Sequence, residues 1–125
     1  MIGYVTIGTK SIEKACAFYG ELLAEVGGKQ LFGMDRIKFF GTDTGAPMLA
    51  VCVPFDEQGQ HPGNGTMVAI PAKGLEQITR LYNKAIELGA TCEGAPGERL
   101  PGMFTGAYVR DPDGNKLCFY ELTMG

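Results

Sequence analysis

The sequence predicts an α+β protein made of two β-α-β-β-β modules in tandem. The first observation is an internal repeat: Tyr4 to Tyr19 aligns with Met67 to Tyr82, an offset of about half the chain. The identical pairs are Val5/Val68, Ile7/Ile70, Lys10/Lys73, Glu13/Glu76 and Tyr19/Tyr82. The second is that a helical pattern comes early in each half and hairpin-type strands follow, which favours α+β over an alternating parallel sheet. Because each copy of a repeat buries the apolar face of the other, we expect a curved, incomplete β-barrel around a central cleft.

The first module, residues 1–54, is predicted to contain a strand, a helix and three further strands. Ile2 to Ile7 is rich in β-branched and aromatic residues, as strands are. Ser11 can cap the following helix, whose apolar residues keep helical spacing up to the stop signal at Gly27-Gly28. The three remaining strands are expected at about Lys29 to Phe32, Ile37 to Gly41 and Met48 to Pro54.

The second module, residues 66–125, repeats this plan after a linker. Residues 55–65 (FDEQGQHPGNG) are polar, rich in Gly and Pro and without periodicity, which is typical of a linker. A strand from Thr66 to Ile70 and a helix from Gly74 to Leu88 follow. The last strands are expected at about Thr91 to Glu93, Phe104 to Arg110 and Lys116 to Leu122. The sequence Asp111-Pro112-Asp113-Gly114-Asn115 joins the final two, since Pro fixes one φ angle and Gly supplies a positive one.

Charge and composition argue against several kinds of partner. The chain has 125 residues, a net charge of −3 and no Lys/Arg cluster on a predicted face, so neither nucleic acid nor an anionic membrane is an expected partner. No signal-peptide or membrane-span pattern occurs, and we expect a cytoplasmic protein. The cysteines lack C-x-x-C spacing and fall in predicted helices or strands, which favours reduced, partly buried thiols. They are Cys16, Cys52, Cys92 and Cys118.

Three stretches carry a family resemblance: SIEKACAFYGELL after the first strand, GNGTMVAI at the start of the second module, and YVRDPDGNKLCFYE near the end. With the paired modules, they resemble the vicinal oxygen chelate superfamily, which includes glyoxalase I, bleomycin-resistance proteins and extradiol dioxygenases. The resemblance covers essentially the whole chain. It implies the same fold and, as is usual for short two-module chains of that superfamily, a homodimer. Unpaired sheet edges give a physical reason for such pairing.

The resemblance also implies where a metal ion would bind. Metal-using members hold the ion with inward His, Gln or Glu side chains from the first and last strands of each module. The corresponding residues here are Tyr4, Met67 and Cys118, and the strand Met48 to Cys52 offers no carboxylate. Glu121 is predicted by strand alternation to face away from Cys118. No cofactor is expected; a divalent metal is kept as an alternative, although its usual ligands are absent.

Strand alternation predicts which side chains line the cleft. If Cys118 points inward, Leu117 and Phe119 lie under the helix. The predicted ligand-binding residues are Tyr4, Met67, Phe104, Tyr108, Arg110, Cys118 and Tyr120. Such an aromatic and sulfur-rich face with a few polar tips is typical of a pocket for a planar or apolar small molecule. No catalytic residue is predicted.

Each candidate also has a purely structural interpretation. Aromatic and Met side chains on a curved sheet can simply fill the core. Arg110 can be a solvated turn charge rather than an anion contact, and the same alternatives apply to Arg36 and Arg99. Cys118 has no nearby histidine to activate it, which favours a packed thiol. His61, the single histidine, lies in the linker and acts as a base only if the linker folds over the cleft.

Three functions follow from these alternatives. The favoured one is metal-free binding of a small, aromatic or amphipathic molecule between the modules. The second is a glyoxalase-like lyase or isomerase, related to lactoylglutathione lyase, with an atypical divalent-metal site; it rests on the resemblance alone. The third is an interaction module whose cleft is filled by side chains. The sequence determines neither the ligand nor the reaction.

Overall fold

The computed structural model describes residues 1–123. They form two compact units, Met1–Pro62 and a second unit that begins at Gly63, inside the predicted linker. Each unit has one α-helix and one four-stranded sheet. The predicted α+β class and the tandem β-α-β-β-β modules are therefore confirmed. Within the described residues, no helix combines the length and apolar character that crossing a membrane requires.

The first unit follows the predicted order of elements. They are β1 (Tyr4–Gly8), α1 (Ile12–Leu23), β2 (Lys29–Met34), β3 (Ile37–Gly41) and β4 (Met48–Cys52). The sheet order is β1-β4-β3-β2, with β1 parallel to β4 and the other pairs antiparallel. Strand β1 begins at Tyr4 rather than at Ile2, because its pairing with β4 starts at Tyr4 opposite Met48.

Helix α1 begins where its cap residue predicts and ends earlier than expected. Ser11 Oγ accepts a hydrogen bond from the backbone N–H of Lys14 at 3.3 Å, which satisfies one of the unpaired donors of the first turn. The buried face of the helix consists of Ala15, Phe18, Tyr19, Leu22 and Leu23. A 3-10 turn (Ala24–Val26) replaces the predicted last α-helical turn, and Gly27 with a φ of 78° ends it.

The second unit repeats the topology of the first. Its elements are β5 (Met67–Pro71), α2 (Gly74–Glu87), β6 (Thr91–Leu100), β7 (Phe104–Arg110) and β8 (Lys116–Leu122). The order is β5-β8-β7-β6, with β5 parallel to β8. Strand β6 runs to Leu100, so the predicted end at Glu93 is wrong. Gly94 and Gly97 suggest that the strand ends before them. Register shifts on both sides of Gly94 instead allow β6 to continue its pairing with β7 through both glycines.

Helix α2 packs on the sheet of the second unit and is capped by that sheet. Ile78, Leu81 and Ala85 of α2 are fully buried. Glu121 of β8 accepts a hydrogen bond through Oε2 from the backbone N–H of Gly74 at 3.1 Å. A carboxylate at this position also interacts favourably with the helix dipole. Glu121 therefore faces α2, as strand alternation predicts.

The turn between β7 and β8 is fixed by a buried carboxylate. Asp111 is 5% exposed, and its Oδ1 accepts hydrogen bonds from the backbone N–H groups of Asp113 and Asn115, both at 2.9 Å. The backbone N–H of Asp111 donates to the Asn115 carbonyl at 2.8 Å. These bonds close the predicted hairpin and set the register between the two strands that carry most of the candidate site.

Candidate functional site

In the second unit, α2 covers one face of the sheet and leaves the other without a helix. Leu117 and Phe119 of β8, with Ala107 and Val109 of β7, are fully buried on the α2 side. Tyr108 lies opposite Cys118, and Cys118 lies opposite Ala69, so these alternate residues share the other side. We call it the helix-free face of unit 2. It comprises Met67, Ala69, Phe104, Tyr108, Arg110, Lys116, Cys118 and Tyr120.

Six of the seven predicted ligand-binding residues lie on this face, and Tyr4 is on β1 of the first unit. The register thus confirms the predicted sidedness of β7 and β8. Lys116 was missed by the sequence reasoning. It lies on the same strand two residues before Cys118, so the alternation used for Tyr120 would have found it.

Cys118 lies at the centre of the face as a neutral, buried thiol. Its side chain is fully buried, and it lies directly opposite Tyr108 across the β7–β8 pair. Burial raises the pKa of the Cys118 thiol, and the neighbouring Tyr108 and the charges of Arg99 and Lys116 offset only part of that rise. The thiol is therefore protonated at neutral pH, and a thiol is a much weaker nucleophile than a thiolate.

Tyr108 is bordered by two cations. The Arg99 guanidinium carbon is 5.4 Å from the ring centroid of Tyr108, and Lys116 Nζ is 5.3 Å from it. Both distances fall within the range of cation–π attraction. Burial, and then the neighbouring Cys118, raises the pKa of the Tyr108 phenol, so the hydroxyl keeps its proton.

A second aromatic pair lies further along the same strands. The rings of Phe104 and Tyr120 are stacked with centroids 5.6 Å apart and planes 4° from parallel. Gly106 makes room for this pair, because a Cβ there would come within 2.9 Å of the Phe104 ring. Both rings are half-buried. The face therefore presents flat aromatic surface beside the polar Tyr108–Cys118 pair, an arrangement suited to a planar molecule.

Arg110 is engaged within its own unit. Its Nε donates to Glu93 Oε1 at 2.8 Å and its Nη1 to the Gly114 carbonyl at 3.1 Å. The hydrogen bond from Arg110 lowers the pKa of the Glu93 carboxyl. Arg110 thus bridges β6 and the β7–β8 turn, which accords with the structural alternative for this residue more than with a free anion contact.

The corresponding face of the first unit is also aromatic. Phe39 stacks on Phe32 at 4.4 Å and meets the Tyr4 ring edge-on at 4.9 Å. Ala50, opposite Phe39, is fully buried. Tyr4 is 53% exposed and is the one residue of this cluster that the sequence analysis proposed for ligand binding.

The internal repeat allows the two faces to be compared position by position. Thr6 pairs with Ala50 in the first unit, and its repeat mate Ala69 pairs with Cys118 in the second. The residue across from Ala50 is Phe39, and the residue across from Cys118 is Tyr108. Hence the thiol and the phenol replace a methyl group and a phenyl ring. The first unit has the Thr6 hydroxyl where the second has Ala69, so the two faces differ in the kind of polar group at the centre of the repeat.

The two remaining sequence candidates lie elsewhere. His61 is exposed between β4 and β5. Arg36 donates to the Val53 carbonyl at 2.8 Å and lies 5.3 Å from the Phe55 ring, in an open cleft of about 540 Å³ that Asp35 and Glu57 also line. Two acidic neighbours make this cleft a poor anion site.

The residues at the positions implied for metal ligands do not fit a metal ion. Tyr4 is a phenol and Met67 a thioether, and neither is the imidazole or carboxylate that zinc, nickel or iron prefers. Cys118 is a single thiol without a second cysteine beside it in the strand, and the Oε2 atom of Glu121 caps α2 on the other side of the sheet. Within residues 1–123, no group of three or more His, Cys, Asp or Glu side chains converges in a metal-binding arrangement.

Two tandem β-α-β-β-β units, each with a helix on one side of its sheet, define the class of paired-module proteins that the sequence resembles. The sequence profile of the Glyoxalase/Bleomycin resistance protein/Dioxygenase superfamily matches residues 1–119, and the chain belongs to this superfamily. No curated protein sequence is significantly similar to the chain.

Solved structures agree with this assignment. A glyoxalase/bleomycin resistance protein from Albidiferax ferrireducens T118 is 29% identical, with a TM-score of 0.88 and coverage of 98% of this chain and 99% of the other. A glyoxalase/bleomycin resistance protein/dioxygenase family enzyme from Burkholderia phytofirmans PsJN is 20% identical, with a TM-score of 0.77 and coverage of 97% and 98%. A glyoxalase-related enzyme from Fulvimarina pelagi is 20% identical, with a TM-score of 0.75 and coverage of 97% and 87%. The last two show likeness of fold.

Proposed function

We propose that the protein binds a small aromatic or amphipathic molecule on the helix-free face of unit 2 and does so without a catalytic metal. The observation that carries the proposal is the Tyr108–Cys118 pair beside the stacked Phe104 and Tyr120 rings. The placement of the ligand between the two modules stays a prediction from the sequence.

The chemistry of the face favours binding over covalent catalysis. The half-buried rings of Phe104 and Tyr120 offer flat apolar area with few rotatable bonds, so little conformational entropy is lost when a planar ligand covers them. The Tyr108 hydroxyl and the Cys118 thiol are neighbours and are neutral at physiological pH, because burial raises the pKa of both. They fix the floor of the site without supplying a nucleophile.

The metal-free part of the proposal rests on the donor set. Tyr4, Met67 and Cys118 stand where the resemblance implies metal ligands, and they offer a phenol, a thioether and a single thiol instead of imidazole or carboxylate groups. Elemental analysis of the purified protein by plasma mass spectrometry tests this. We expect less than one transition-metal ion per ten chains; one tightly bound ion per chain would refute the metal-free proposal.

Ligand binding is tested by a thermal-shift screen of small aromatic compounds, followed by calorimetric titration of the best one. Loss of one stacking partner corresponds to about 0.5–1.5 kcal/mol, so Tyr120→Ala and Phe104→Ala should each weaken binding by about three- to tenfold. Phe55→Ala removes an exposed aromatic ring from the other unit and should leave the affinity unchanged. Equal losses in all three variants would show that the ligand binds elsewhere.

Superfamily membership favours a glyoxalase-like lyase or isomerase as the second candidate function. Such an enzyme would need an atypical divalent-metal site. Activity assays with small carbonyl compounds and their thiol adducts, in the presence of added Zn²⁺, Ni²⁺, Mn²⁺ or Fe²⁺, test it. Metal-dependent turnover that survives Tyr120→Ala would favour this candidate over the binding function.

We also propose a homodimer in the cytoplasm. In each sheet, the outer strands β1, β2, β5 and β6 have one edge that no strand of the same sheet covers, and such edges favour association. The four free thiols suit a reducing compartment. Light scattering coupled to size-exclusion chromatography measures the mass directly, and a value for a single chain at micromolar concentration would refute the dimer.

A further inference from the structure

Positive charge is concentrated at one end of the helix-free face of unit 2. Arg99 on β6 and Lys116 on β8 border the same Tyr108 ring, at 5.4 and 5.3 Å from its centroid. The chain as a whole carries a net charge of −3, so this local excess of cations runs against the overall charge. Both cations therefore border the same part of the face.

The Arg99 guanidinium is held in place by the backbone of its own strand. Nη1 donates to the Gly97 carbonyl at 3.0 Å and Nη2 to the Ala95 carbonyl at 2.6 Å. A Cβ at Gly94 would come within 3.0 Å of both Nη2 and the Tyr108 ring, and one at Gly97 within 3.2 Å of Nη1. The two glycines therefore form a cradle that a larger residue would fill.

The Arg99 guanidinium retains N–H groups that can donate hydrogen bonds to a ligand. Arg has five N–H groups, and the two carbonyls use two of them. Arg99 is exposed, so the others are accessible. Ordering a flexible side chain in advance lowers the entropic cost of binding, and a planar guanidinium suits the two oxygens of a carboxylate.

The neighbouring carboxylates are already engaged. Glu93 is hydrogen-bonded to Arg110 at 2.8 Å, and Lys116 adds a weaker electrostatic contribution to it. Glu98 accepts from the backbone N–H of Gly102 at 2.9 Å. Within residues 1–123, neither Arg99 nor Lys116 has a carboxylate within ion-pair distance.

We propose that Arg99 and Lys116 form an anion subsite beside Tyr108, and that the ligand is a planar aromatic carboxylate whose carboxylate group they bind. This inference rests on the proposed function, because the same face supplies the aromatic surface. It adds a defined ligand class and assigns the two cations as specificity-determining residues. The ring of such a ligand would cover the apolar part of the face near Phe104 and Tyr120.

The test compares 2-naphthoate with its uncharged analogue 2-naphthamide by calorimetric titration. The compounds share ring and size and differ in charge, so the difference in affinity isolates the carboxylate. A charge-assisted hydrogen bond corresponds to about a tenfold change in affinity or more, and we expect Arg99→Gln and Lys116→Gln each to weaken naphthoate binding by about tenfold. Naphthamide binding should change less than about twofold in both variants.

Lys84→Gln is the matched control, because it removes one positive charge from α2 on the opposite side of the same sheet. It lowers the net charge as Lys116→Gln does and should leave naphthoate binding unchanged. Arg99→Lys keeps the charge but loses the planar fork, and intermediate binding is expected. Thermal midpoints of all variants verify folding. If Arg99→Gln unfolds, the naphthoate affinities of Lys116→Gln and Arg99→Lys test the anion subsite.

The outcomes separate the two proposals. Equal affinity for both compounds, insensitive to either substitution, overturns the anion subsite and leaves the aromatic-binding function intact. Equal weakening in Lys84→Gln and Lys116→Gln also overturns it, because the effect is then long-range charge rather than contact. Binding of neither compound overturns both proposals.

Discussion

Truncation of the neighbouring residues Phe119 and Tyr120 should have opposite effects on stability and on ligand binding, because the two side chains point to opposite sides of β8. Phe119 is fully buried under α2, whereas Tyr120 is half-buried on the helix-free face and stacks on Phe104. Truncation of a fully buried Phe to Ala removes its hydrophobic transfer energy and leaves a cavity, at a cost of about 3–5 kcal/mol. Truncation of Tyr120 removes mainly a stacking contact of about 0.5–1.5 kcal/mol.

The assay is urea denaturation followed by circular dichroism, on wild type, Phe119→Ala, Phe119→Leu and Tyr120→Ala. A total stability of 5–15 kcal/mol is typical of globular domains, so Phe119→Ala removes a large fraction of it. Phe119→Leu retains most of the buried volume and provides a folded variant if the alanine variant is too unstable. The complementary experiment measures ligand affinity, which should fall in Tyr120→Ala and stay unchanged in Phe119→Leu.

Comparable losses of stability at Phe119 and Tyr120 would refute the reasoning. The assignment of every residue on the helix-free face depends on strict alternation along β8. A Tyr120 variant that is as destabilised as the Phe119 variant would mean that the aromatic rings serve as core. The third function considered from the sequence, an interaction module with a filled cleft, would then gain support.

Three further predictions test other features of the second unit. Gly94→Ala should displace the Arg99 guanidinium, since its new methyl group would lie 3.0 Å from Nη2, and binding of 2-naphthoate should fall while the thermal midpoint changes by only a few degrees. Burial raises the folded-state pKa of Cys118, so the stability that its neutral thiol contributes is complete below the unfolded thiol pKa of about 8.5. This contribution is lost as pH rises towards the folded-state pKa, by at most about 1.4 kcal/mol per pH unit. Cys118→Ala should flatten this alkaline decline in denaturation curves from about pH 8 to 10, and an unchanged slope would contradict the assignment. Glu121→Ala removes the cap on Gly74 and should cost about 1 kcal/mol in urea denaturation, whereas Glu121→Gln, which retains an acceptor oxygen, should cost less; equal costs would point to charge rather than hydrogen bonding.

Much of the fold follows from local patterns. The bounds of β3, β7 and β8 agree with the sequence prediction, because strong strand formers there are flanked by clear turn signals. The predicted strand β6 is too short, because the glycines and the proline in this segment are typical of a loop when its pairing with β7 is unknown. The end of α1 was misplaced for a similar reason, since apolar spacing does not distinguish a last α-helical turn from a 3-10 turn.

The sequence by itself determined the two modules, the superfamily and the side of β8 on which each residue lies. The modules and the sides of β8 follow from the internal repeat and from strand periodicity, and the superfamily follows from a resemblance of motifs; all three can be recognised without coordinates. It also indicated that the residues at the implied metal positions are poor ligands.

Only the tertiary structure decided which residues meet at the candidate site. Arg99, Tyr108 and Lys116 come together because three strands pair in one register, and the bulges of β6 that bring Arg99 back over Tyr108 leave no simple mark in the sequence. The state of Cys118 likewise depends on burial by residues distant along the chain. Charge and solvation are sums over neighbours in space, and strand register, rather than local pattern, selects those neighbours.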